Sequence, residues 1–194
     1  MDNIYIKQKL IKGFRQMESL FSDDAVIFTI DIVSKEMAAV FKNGGKVLFC
    51  GTGLSSIVAQ NMADSLSGKI SEDRPPLFAA ALHSSPTFMS GISAEYGFDE
   101  AFARMALAMG NPGDMLFAIC GEKAPASVLN ALAMASRLGM KTIGLSPSGS
   151  GIENWCGEHI EAGSEDAQRT QESHLMIGNI ICEIAESISY RKSV

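Results

Sequence analysis

Several things are missing from this sequence, and each absence narrows what the chain can be. It has four cysteines, Cys50, Cys120, Cys156 and Cys182, far apart and with no CxxC pair among them. A zinc knuckle or a redox dithiol is therefore not expected. Positive charge is also short: 16 Lys and Arg stand against 22 Asp and Glu, for a net charge of −6. An acidic chain is a poor candidate for wrapping nucleic acid through phosphate contacts, although it leaves a protein partner open. No apolar run approaches the length of a membrane span. The opening MDNIYIKQKLIKGFRQM is polar and amphipathic, not a basic stretch followed by an apolar one. These features lead us to expect a soluble cytoplasmic protein with reduced thiols. There is no internal repeat, low-complexity tract or interdomain linker.

What is present is an ordinary globular composition, 46% hydrophobic and 20% charged over 194 residues. That length suits one domain with a sizeable core. Residues 4 to 21 carry an apolar stripe at helical spacing, including Leu10, Phe14, Met17 and Phe21. Ser22 is placed to cap a second helix running to about Lys42, with Asp23 and Asp24 in its first turn, and Asn43-Gly44-Gly45 ends it. Then come short apolar runs that do not alternate, KVLFC (46–50), LFAAAL (77–82), MLFAIC (115–120) and KTIGLS (141–146), and a short piece, HIEA (159–162), before the final helix. Helical patterns separate them, at 55–67, 85–109 and 125–138, and a long one closes the chain at 166–190. Unalternating strands between helices predict a parallel sheet covered on both faces. The expectation is one α/β domain over 1–194, a three-layer five-stranded sheet at 44–194 behind an N-terminal helical hairpin at 1–43.

Open sheets of this kind bind ligands beyond the carboxyl ends of their strands. The first such place reads Gly51-Thr52-Gly53-Leu54-Ser55-Ser56. Glycines allow a tight turn and a close approach, and a helix start favours an anion. An ordinary capped turn is the alternative. The pattern is not GxGxxG, since Ser56 holds the third glycine position. Cys120 and Cys50 stand at strand ends, where a thiol is either activated by a helix start or a small buried filler. His83 follows a strand and either lines the pocket or sits in solvent. His159 reads as a surface residue, and the methionines, Met105, Met109, Met134 and Met176 among them, read as packing.

Taken in order, NGGKVLFCGTGLS (43–55), AQNMADSLSGK (59–69), EDRPPLFAAAL (72–82), EYGFDEAFAR (95–104), GNPGDMLFAI (110–119), ASRLGMKTIGLS (135–146) and QRTQESH (168–174) resemble the sugar isomerase (SIS) family in its phosphoheptose isomerase branch. The resemblance covers nearly the whole chain. It implies a flavodoxin-like strand order, a homotetramer, and the interconversion of sedoheptulose 7-phosphate with a heptose 7-phosphate through an enediol. It also implies substrate contacts at Gly51, Thr52, Gly53, Ser55, Cys120, Gly121, Glu122, Lys123 and Gln171. The family's zinc ligands fall at Asn61, Ser65, Gln171 and Asn179, and of these only Gln171 matches the family pattern. Asn and Ser oxygens are poor zinc ligands, so no metal is expected. The carboxylate that would serve as base and the histidine that would serve as acid are replaced by Ser65 and Asn179. A proton transfer needs a group of suitable pKa within reach. In the stretch shared with the family, beside Gln171, Glu172 is a candidate substitute base and His174 a candidate acid or base. The alternative is that they orient the last helix or contact a neighbouring subunit. The family's Ser-Thr-Ser-Gly phosphate loop reads Cys120-Gly121-Glu122-Lys123 here: either this loop no longer binds phosphate, or Lys123 anchors a changed ligand with Glu122 as a hydroxyl partner or base. Two functions follow as expectations. One is a phosphosugar-binding, isomerase-like protein with divergent catalysis. The other is a non-catalytic tetrameric scaffold with a protein partner, similar to the DnaA-associating replication-initiation factor.

Overall fold

The computed structural model describes residues 3–70 and 73–190. Residues 1–2, 71–72 and 191–194 of the expected 1–194 span lie outside the described residues, and so does Glu72, which opens one of the quoted stretches. Two helices come first, α1 (Asn3–Phe21) and α2 (Asp24–Lys42). Asp23, not Ser22, caps α2: its carboxylate accepts from the Ala25 and Val26 amides, a stronger charge-assisted cap at the positive end of the helix. Ser22 Oγ instead donates back to the Glu18 carbonyl. Asn43 and Gly44, the latter at φ +76°, end α2.

The α/β part follows as β1 (Val47–Gly51), α3 (Leu54–Ser67), β2 (Ala79–Ala81), α4 (Pro86–Tyr96), α5 (Ala101–Met109), β3 (Met115–Ile119), α6 (Ala126–Arg137), β4 (Lys141–Ser146), β5 (Glu158–Glu161) and α7 (Ala167–Tyr190). The strands are all parallel, in the order β2-β1-β3-β4-β5. That is the flavodoxin-like order. The helical stretch expected over 85–109 is broken at Gly97, whose φ of +85° no helix accepts. A 3₁₀ turn at Phe98–Glu100 then leads into α5.

The absence of alternation in the strands has its cause in the two cores. Val47, Phe49, Met115, Phe117 and Ile119 face the layer of α2, α3 and α7. Leu48, Cys50, Leu116 and Ala118 face the layer of α5 and α6. Every residue of β1 and β3 is buried. A large apolar side chain buried in this way is worth about 1.5–3 kcal/mol, so both faces must be apolar. The Phe49 and Phe117 rings pack at 5.7 Å between centroids across β1 and β3. The entry to these strands is tied by buried Asp114, which accepts from the Lys46 amide (2.9 Å) and ammonium (2.6 Å) and from the Asn111 amide (2.8 Å). Among the described residues, no helix is long and apolar enough to cross a membrane.

Candidate functional site

β1 leaves the sheet at Gly51, and the turn into α3 is set by backbone sterics. A Cβ on Gly51 would lie 2.8 Å from the Ser55 carbonyl oxygen, too close for any side chain. Gly53 takes φ +55°, ψ −128° and caps α3 with no side-chain hydrogen bond. Such a backbone belongs to glycine. The start of α3 is thus left without a side-chain acceptor, with buried Ser55 just inside it.

The neighbouring strand β3 ends in the loop Cys120–Pro125. The Ala124 amide donates to the Ser150 carbonyl (2.9 Å), which ties this loop to the one after β4. Pro125 caps α6, again with no side-chain hydrogen bond. Gly121 lies over Ser55: a Cβ there would come 3.5 Å from Ser55 Oγ. The third wall is the first turns of α7, where Gln171 and His174 lie three residues apart on one face.

These walls enclose a cleft of about 280 Å³ lined by Thr52, Gly53, Leu54, Ser55, Val58, Cys120, Gly121, Glu122, Lys123, Pro125, Ala167, Gln171 and His174. Most of the expected site residues therefore meet. Gly51 shapes the turn and does not line the cleft. Glu172 does not line it either. Its carboxylate pairs with Arg169, whose guanidinium also donates to the Lys9 carbonyl of α1. Helix phase explains the separation, since one residue beyond Gln171 is a turn of about 100° away. Leu54 belongs to the first expected loop, whereas Val58, Pro125 and Ala167 were not anticipated. Of these, Pro125 had a signal, as the cap position after a strand-end loop.

The electrostatics of the cleft are simple. Lys123 and Glu122 are exposed and form no ion pair, with each other or with any other described residue. His174 is buried and its Nε2 lies 2.6 Å from the Ala162 carbonyl. A carbonyl only accepts, so the neutral ring carries its proton on Nε2. Burial pushes the imidazole down to about 4, against the opposing pull of the Ala162 hydrogen bond. His174 is therefore neutral at pH 7. Burial, with Cys156 adding to it, pushes the Cys120 thiol up to about 12. Burial first, then Cys120, raises Cys50 as well. Both are protonated fillers, not nucleophiles. His83 stands outside the cleft, half-buried, lowered by burial and partly restored by Asp64. His159 is not a surface residue: it is half-buried with Nε2 2.8 Å from Ser146 Oγ, because β5 lays it beside the end of β4.

The four positions to which the resemblance assigned zinc ligands do not form a metal ligand set. Asn61 Nδ2 donates to Asn179 Oδ1 at 2.7 Å, joining α3 directly to α7. The helices approach closely here, since a Cβ on Gly178 would sit 2.9 Å from Met62 Sδ. The Ser65 carbonyl accepts from Arg74. Amide and hydroxyl oxygens replace the imidazole and carboxylate that zinc selects, so the residues present do not fit the metal. Among the described residues, no group of three or more His, Cys, Asp or Glu side chains is placed to hold a metal ion.

Comparison with known proteins agrees with this architecture. Residues 24–147 match the model of the SIS domain. A phosphoheptose isomerase of Aneurinibacillus thermoaerophilus is 30% identical over 190 residues, covering 97% of this chain and 96% of that protein. One from Campylobacter concisus is 35% identical over 159 residues, covering 81% of this chain and 84% of its own length. Among solved structures, a phosphoheptose isomerase from Francisella tularensis superposes with a TM-score of 0.90 at 29% identity, covering 96% of this chain and 100% of that one.

Proposed function

We propose, from the premise that this chain belongs to the SIS domain family and is similar over its length to phosphoheptose isomerases, that it binds a sugar phosphate as they do and has diverged from them in catalysis. One observation carries the binding half. The starts of α3 and α6 open on the same cleft, neither has a side-chain cap, and Lys123 stands beside them. The aligned peptide dipoles of two helix starts, with an ammonium, favour a phosphate, even though the Ser55 and Ser56 amides already donate to the Thr52 and Gly53 carbonyls. Thr52, Ser55 and Gln171 are then available to sugar hydroxyls. In this reading Gly51 and Gly53 hold the turn open.

The catalytic half rests on what the cleft offers a proton. An aldose–ketose exchange moves a proton between C1 and C2, which calls for a group poised near neutral pH. His174 is neutral, with its Nε2 proton committed to Ala162. Glu172 is held by Arg169 outside the cleft. At the positions of the family's base and acid stand Ser65 and Asn179, the latter bonded to Asn61. Glu122, the one carboxylate lining the cleft, stands on the loop beside Lys123 and is read here as a ligand contact and not as a base. With His174 and Gln171 also positioning the ligand, the isomerisation known for the family is weak or absent.

A second reading concerns assembly. Ile4, Leu10, Phe14 and Phe21 of α1 and its end, with Ile27 and Phe28 of α2, are exposed large apolar side chains on one hairpin. A surface of that kind asks for a partner, and four hairpins packed together in a homotetramer would cover it. Such a tetramer would present identical surfaces to a protein partner in the cytoplasm, the scaffold alternative. Calorimetric titration tests the binding reading: inorganic phosphate and sedoheptulose 7-phosphate compete for one site per chain, and Lys123→Ala weakens both. Absence of heat with either ligand at millimolar concentration would leave the scaffold reading, which sedimentation velocity then tests through the oligomeric state.

A further inference from the structure

The cleft contains one group that a plain sugar phosphate does not explain. Glu122 lines it, exposed, with no hydrogen bond or ion pair to any described residue. Glu122 and Lys123 both line the cleft, so a ligand phosphate there meets a carboxylate as well as an ammonium. Among the described residues lining the cleft, Lys123 is the one side-chain cation at neutral pH and Glu122 the one anion. The charges of the two side chains cancel, and only the helix starts favour the phosphate. A ligand that carried its own positive charge, away from its phosphate, would turn Glu122 from a penalty into a contact.

We propose that the preferred ligand is an amino-sugar phosphate, its ammonium paired with Glu122 and its phosphate with Lys123 and the starts of α3 and α6. This rests on the sugar-phosphate reading of the same cleft. The ammonium–carboxylate pair supplies a charge-assisted contact, while Gln171, Thr52 and Ser55 remain for neutral hydroxyls. Glu122 holds no other partner, so it is available for this role without breaking any internal contact.

The test is calorimetry at about pH 6.5, where a sugar amine is protonated, with four probes: glucosamine 6-phosphate, its N-acetyl analogue, glucose 6-phosphate and inorganic phosphate. The amino sugar is expected to bind about tenfold tighter than glucose 6-phosphate. The N-acetyl analogue, similar in shape and lacking the charge, loses that advantage. In Glu122→Gln the amino and hydroxyl sugars bind alike, and glucose 6-phosphate gains affinity. Equal binding of the two in the natural chain overturns the inference, as does a preference that survives Glu122→Gln. If neither sugar phosphate nor inorganic phosphate binds, the underlying sugar-phosphate reading fails, a result distinct from equal binding.

Discussion

The two loops that form the cleft differ in what holds them. The loop after β1 is fixed by backbone geometry. Gly51 cannot carry a Cβ without striking the Ser55 carbonyl, and Gly53 occupies a positive-φ conformation. The loop after β3 is under no such constraint. Gly121 has a negative φ, and its nearest obstacle is the end of a serine side chain at 3.5 Å. A loop defined by its backbone keeps its residues. A loop defined by its side chains can exchange them while the fold stays put. We propose that this is why the sequence reading finds a resemblance to the family in GTGLS and a departure from it in CGEK.

Several substitutions sharpen or break that contrast. The largest effect is expected at Gly51→Ala, which must displace the start of α3. It should cost roughly 2–3 kcal/mol by chemical denaturation and abolish phosphate binding. A stable, binding-competent Gly51→Ala would remove the distinction between the loops. On the α7 wall, His174 has its folded pKa lowered from 6.5 to about 4. The folded state then binds fewer protons than the unfolded one in that window, so its contribution to stability is complete above about pH 6.5 and falls away as pH drops towards 4. The loss is of order 3 kcal/mol, and denaturation midpoints of His174→Gln should lack that part of the pH dependence. Lys123→Ala should weaken inorganic phosphate by about 1 kcal/mol, roughly fivefold, with an unchanged melting temperature. The smallest effect belongs to Gly121→Ala, within about 0.5 kcal/mol of the natural chain.

Much of the scaffold was legible because its physics is local. Four apolar runs without alternation announced a sheet buried on both faces, and they lie with the short HIEA piece in one parallel sheet. The cleft was legible at the level of loops, since strand ends in an open α/β sheet converge. What escaped was set by packing between distant segments. Asn61 and Asn179 are 118 positions apart, and nothing in either neighbourhood announces that α3 and α7 bring their amides to 2.7 Å. His159 read as exposed because a single histidine in a short edge strand gives no hint of Ser146 beside it. Glu172 was grouped with Gln171 and His174 by adjacency, and the helix turned it towards Arg169. The break at Gly97 was missed because the apolar pattern continues on both sides of it.

The central claim is that the cleft has kept its anion site and lost its proton chemistry. The most direct test follows sedoheptulose 7-phosphate by NMR in heavy water, with the protein at high concentration and with zinc present or absent. The account predicts that the sugar phosphate binds, seen as line broadening reversed by inorganic phosphate, while no deuterium enters at C1 or C2 in either condition. Deuterium entering at an enzymatic rate, above all a rate raised by zinc, would contradict it and show that the cleft still contains a working base.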